Sequence, residues 1–98
     1  MEKTVLKDVY ALLKQLGAVA SESEFSTDWL CRSECYVRSL RFTGNEPSIG
    51  SVAICASKLQ YYAGLMGEQH RDLAAQFLRL SDQCHLYINR QSRRKWLL

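Results

Sequence analysis

The sequence has little of what breaks or staples a chain. One proline and five glycines in 98 residues leave no Pro/Gly-rich linker and exclude a collagen-like or low-complexity chain. No apolar run approaches the ~18 residues of a membrane span. The opening Met1-Glu2-Lys3-Thr4 lacks the charged-then-apolar pattern of a secretory signal. Together these absences predict a cytoplasmic protein with reduced thiols at Cys31, Cys35, Cys55 and Cys84 rather than two disulfides. Sustained two-residue alternation and hairpin dipeptides are also missing, so no sheet is expected. What is present is a chain 47% hydrophobic and 23% charged, enough for one core without a metal.

Net charge is only +3, too modest for composition alone to announce nucleic-acid binding, but it is unevenly placed. Residues 1–30 are acidic, with Lys3, Lys7 and Lys14 against Glu2, Asp8, Glu22, Glu24 and Asp28. A short basic island follows in Arg32, Arg38 and Arg41. The strongest basic feature is the C-terminal end, where Arg90, Arg93, Arg94 and Lys95 cluster.

Helical periodicity runs through the chain. Thr4 to Leu16 places Val5, Leu6, Val9, Tyr10, Leu12, Leu13 and Leu16 on one broad face, with Gly17 as the stop. Ser21-Glu22-Ser23-Glu24 has capping-box spacing and starts a short second helix whose Phe25, Trp29 and Leu30 turn inward. Ser33 is placed to cap a third helix, with Tyr36, Val37 and Leu40 inward, ending before Gly44. Asn45-Glu46-Pro47-Ser48 reads as a turn and a cap, from which a long fourth helix runs to about Met66. A fifth starts near Glu68 or His70, continues through Leu73, Ala74, Phe77, Leu78, Leu80, Cys84, Tyr87 and Ile88, and leaves a basic tail from Arg90. The expectation is an all-α, compact five-helix domain: residues 1–66 as a core and 67–98 as a C-terminal helix packed on it or used to dimerise.

Three short helices, a Pro-Ser loop and a fourth helix follow the element order of a helix-turn-helix domain. The stretch Ser33-Glu34-Cys35-Tyr36-Val37-Arg38-Ser39-Leu40-Arg41-Phe42-Thr43-Gly44-Asn45-Glu46-Pro47-Ser48-Ile49 resembles the segment from recognition helix to fourth helix in phage repressor and Cro-type proteins. Those read Ser-x-x-Tyr-[Leu/Ile/Val]-x-x-[Leu/Ile/Phe], then six residues, then Pro-Ser-[Leu/Ile]. Residues 25–33 are also similar to Phe-Ser-x-x-Trp-Leu-Gly-Arg-Ser in short proteobacterial helix-turn-helix proteins. The resemblance covers roughly residues 21–60.

It implies a sequence-specific, repressor-like transcriptional regulator with the helix at about 33–42 in the major groove of double-stranded DNA. Ser33, Glu34, Cys35, Arg38 and Ser39 then face outward, of which Glu34, Cys35, Arg38 and Ser39 fall at or near base-reading positions, with Arg38 suited to a bidentate guanine contact. Arg41, Thr43 and Asn45 become backbone contacts, and Arg32 reaches a phosphate from the turn. Two departures stand out: the turn is Leu30-Cys31-Arg32 where the family usually has glycine, and Glu22, Glu24 and Asp28 put negative charge on the second helix. That acidity favours a second reading, a small adaptor or inhibitor that binds a polymerase, a kinase or a phage-defence component.

Helices four and five exceed what DNA reading needs, which points to a symmetric homodimer through Tyr61, Tyr62, Leu65, Phe77 and Tyr87. No cofactor or enzyme activity is expected. Cys31, Cys35, Cys84 and His85 are poorly spaced for zinc, because adjacent Cys84 and His85 diverge by ~100° on a helix. No activating base is set beside any thiol.

Overall fold

In the computed structural model, which describes residues 5–97, the chain forms five α-helices: α1 (Val5–Gln15), α2 (Glu22–Leu30), α3 (Tyr36–Thr43), α4 (Ile49–Leu65) and α5 (Arg71–Trp96), with a 3₁₀ turn at Glu68–His70. Among the described residues there is no strand, and no helix is long and apolar enough to cross a membrane. The all-α, five-helix expectation holds.

Each helix begins and ends for local reasons. α1 buries Leu6, Val9 and Leu13 and stops where Gly17 takes φ +78°, a conformation that costs glycine nothing. Leu16 was expected inward and is instead exposed; Thr4 lies outside the described residues. Ser21 caps α2 by accepting from the Glu24 amide at 3.2 Å, and Ser48 caps α4 by accepting from the Ser51 amide at 3.2 Å. Both serines satisfy amides that helix geometry leaves free.

The core is one cluster fed by α1, α2, α4 and α5, with Phe25, Leu13, Leu30 and Leu59 among its fully buried side chains. α4 and α5 form an antiparallel hairpin, and α1 rests on α5. α3 contributes no fully buried residue. Tyr36 and Val37 pack against the core from its edge.

Two expectations about α5 change. The residues read as a basic tail are helical, because nothing between Tyr87 and Trp96 interrupts the backbone ladder. Cations in the last turn also oppose the negative end of the helix dipole. Phe77 and Tyr87, read as interface residues, are 4% and 6% exposed and belong to the monomer core. The other three interface candidates, Tyr61, Tyr62 and Leu65, are exposed.

Candidate functional site

The segment joining α2 to α3 has an unusual backbone. Cys31, at φ 54° and ψ 43°, is left-handed, and among the described residues it is the one non-glycine with positive φ. The Arg32 amide donates to the Ser26 carbonyl at 3.0 Å, closing the end of α2. Ser33 does not cap α3. Its carbonyl accepts from the Tyr36 amide at 3.0 Å in a preceding turn, so Ser33, Glu34 and Cys35 lie ahead of a helix that starts at Tyr36. Cys35 stands at the N-cap but its side chain makes no capping bond to a helix amide. The cap is supplied from another helix: the buried Ser26 hydroxyl of α2 accepts from the Val37 amide at 3.1 Å and donates to the Glu22 carbonyl at 2.8 Å. One hydroxyl thereby fixes the start of α3 against α2.

A second anchor holds α3 to α4. The Tyr36 hydroxyl accepts from the Ser48 amide at 2.9 Å and from the Ser51 hydroxyl at 3.2 Å, while the Ser48 and Ser51 oxygens lie 2.6 Å apart. Burial raises the Tyr36 phenol pKa, but the bonds to Ser48 and Ser51 and the nearby Arg32 charge outweigh it and leave the phenol below its ordinary value.

Anchored from behind, α3 shows its other face to solvent. Arg38 and Ser39 are exposed, and Phe42 is 89% exposed. Beside them a groove of about 810 Å³ opens between α1, α2 and α3, floored by Leu6, Tyr10, Val37, Leu40 and Pro47. All three arginines of the island have internal partners. The Arg32 guanidinium lies 4.6 Å over the Tyr36 ring, Arg38 Nη2 donates to Cys35 Sγ at 3.1 Å, and Arg41 Nη2 is 3.0 Å from Glu22 Oε1. The acidic second helix therefore meets the basic island directly, at Glu22. At the C-terminal end of α3, Thr43 Oγ1 donates to the Ser39 carbonyl at 2.8 Å and accepts from the Asn45 amide at 3.2 Å.

The basic end of α5, far away in sequence, is brought to this site. Glu46, in the loop after α3, accepts from Gln91 Nε2 at 2.5 Å and from Arg94 Nη1 at 3.2 Å. The Tyr87 hydroxyl donates to the Pro47 carbonyl at 2.6 Å. Sequence reading missed this junction, as it missed Ser26. The one available signal for Ser26 was a serine beside Phe25 on an otherwise apolar face.

The cysteines do not form a ligand set. All four are free, Cys55 and Cys84 buried in the core, and among the described residues no three His, Cys, Asp or Glu side chains converge on a metal position. Fold and site thus define a small all-α domain whose short third helix is pinned at its base and open on its outer face. The chain belongs to a family of unknown function, DUF6626, whose model matches residues 6–97. No curated protein and no solved structure matches the chain.

Proposed function

We propose that the protein binds double-stranded DNA sequence-specifically through α3 and acts as a repressor-like transcriptional regulator. The observation that carries this reading is the pinning of α3 from behind by Ser26 and Tyr36, which leaves Arg38 and Ser39 exposed on a helix with no fully buried residue. A helix entering the major groove needs that combination of a rigid base and a free polar face. Arg38 is the base reader and exchanges its weak thiol contact for guanine. Ser39 lies beside it, and Phe42 reaches thymine methyls. The basic end of α5, tied to the α3–α4 loop through Glu46, adds phosphate contacts that the acidic α2 withholds. Ser33, Glu34, Cys35 and Arg32 serve from the turn, and Thr43 and Asn45 from the exit of α3.

The Glu22–Arg41 ion pair and the bare Phe42 ring favour a second reading, an adaptor or inhibitor that uses the same face on a protein partner. Selection from a random duplex pool, repeated over a salt series, separates the two. The DNA reading expects an enriched sequence and an affinity that falls steeply with salt. Arg38→Ala then relaxes preference at one base pair, Arg41→Ala weakens all sequences alike, and Glu22→Gln strengthens them alike by freeing Arg41. A pool that shows no enrichment removes the DNA reading.

A further inference from the structure

α4 carries a single charged residue, Lys58, in its 17 positions, yet much of its surface is not covered by the monomer. A helix apolar on nearly every face is ordinarily buried on nearly every face. Ile54, Tyr61 and Leu65 are exposed, Tyr61 by 64% and Leu65 by 65%. With Lys58 they recur at intervals of four, three and four, the spacing of one seam between paired helices.

The lone charge on this seam already has partners on one side within its own chain. Lys58 Nζ donates to the Asp28 carbonyl at 2.5 Å and lies 4.8 Å over the Trp29 ring and 5.8 Å over the Tyr62 ring. The ammonium therefore sits in a half-built aromatic box, walled by its own chain on one side.

We infer that this seam pairs with the same seam of a second copy of the chain, the two α4 helices running antiparallel about a two-fold axis. A two-fold placed midway between positions 58 and 61 also lies midway between 54 and 65. It sets Ile54 against the partner's Leu65 and Lys58 against the partner's Tyr61. The exposed Tyr61 ring then closes the box around the ammonium, and because the contact is isologous it forms twice. Cation and ring are complementary partners across the axis. That complementarity selects a second copy as the occupant, since each seam offers both the open box and the ring that closes it.

The test is sedimentation velocity on the full chain from low to high micromolar concentration, without DNA, so that its outcome is independent of any role for α3. The mass is expected to rise with concentration from 11.3 kDa to twice that value. Tyr61→Glu and Leu65→Glu should each weaken pairing by about tenfold or more, whereas Tyr61→Phe, which keeps the ring, should leave it intact. Circular dichroism checks that each variant is folded; should the glutamate variants unfold, Tyr61→Ser against Tyr61→Phe makes the same comparison. A wild-type chain monomeric throughout the range overturns the inference. So does a dimer indifferent to both glutamates, or one that loses pairing equally with Tyr61→Phe.

Discussion

The α4–α5 hairpin and the α2–turn–α3 unit are built on opposite plans. In the hairpin, Val52, Cys55, Ala56, Leu59 and Ala63 of α4 meet Phe77, Cys84 and Tyr87 of α5 out of contact with water. One buried polar contact also ties the two helices together: the Ser81 hydroxyl donates to the Ala56 carbonyl at 3.2 Å. The Cys55 thiol shares a hydrogen bond with Cys84 and, with burial added, its pKa is pushed well up, so it stays neutral. By contrast α3 has no fully buried residue and is positioned by a few polar atoms of Ser26, Tyr36 and Ser48. Burial stabilises without specifying direction, whereas hydrogen bonds add little net energy but fix geometry. Held in the second way, α3 keeps its orientation while its outer face stays uncovered.

The largest effect should come from the hairpin. Leu59→Ala removes a side chain with no exposure and should cost ~2–5 kcal/mol in urea unfolding, with loss of the whole fold in one transition. A small loss, or a separate early transition, would mean the hairpin is not the common core. Ser26→Ala tests the opposite plan. It strips the Val37 amide of its acceptor and should cost ~1–3 kcal/mol. Amide exchange should accelerate at Val37 and its neighbours while hairpin amides keep their protection. Uniform acceleration would show that α3 has no local stability of its own.

Tyr87 joins the two regions, since its hydroxyl leaves the hairpin to reach the Pro47 carbonyl. Tyr87→Phe should cost ~1 kcal/mol near neutral pH. Burial, and then the charge of Glu46, push the Tyr87 pKa up to about 12, against ~10 for a free phenol. A pKa raised on folding means the neutral phenol favours the folded state. That stability is fully present below pH 10 and is lost as pH rises from there to about 12. Melting temperature should therefore fall more steeply across that window in the wild type than in Tyr87→Phe. Tyr36, whose own shift has the opposite sign, is present in both proteins, and its charge adds to the upward push on Tyr87, so the difference between the two curves reports Tyr87 together with that interaction. Parallel curves would remove Tyr87 as the titrating link.

The hairpin was the more legible half. Val52, Cys55, Ala56 and Leu59 repeat at helical spacing, and periodicity reports burial directly. Caps at Ser21 and Ser48 were legible because their partners lie three residues away. The α2–α3 unit was less so. Ser33 looked like a cap by its neighbours, but the bond α3 receives comes from Ser26, eleven residues upstream of the Val37 amide. No local pattern encodes a contact between elements. The same reason hid the Glu46 junction with Gln91 and Arg94, and it put Phe77 and Tyr87 on a surface when the packing of α5 on α4 turns them inward. For the candidate site, the exposed Arg38 and Ser39 were readable from the α3 pattern, while what holds them in place was not.

The smallest expected effect is the one that isolates the turn. Cys31 occupies a left-handed conformation that costs an L-residue ~1–2 kcal/mol. Cys31→Gly relieves this and returns ~0.4–1 kcal/mol as greater freedom of the unfolded chain. The net should be a stabilisation between zero and about 1.6 kcal/mol. Cys31→Val, branched at Cβ, should destabilise instead, because a branched side chain tolerates positive φ worst. Neither substitution reaches the hairpin, so both should leave its amide protection ratios unchanged. If glycine destabilises as well, the exposed Cys31 thiol contributes more than its backbone strain costs, and the turn is held by that side chain and not by the Ser26 bonds alone.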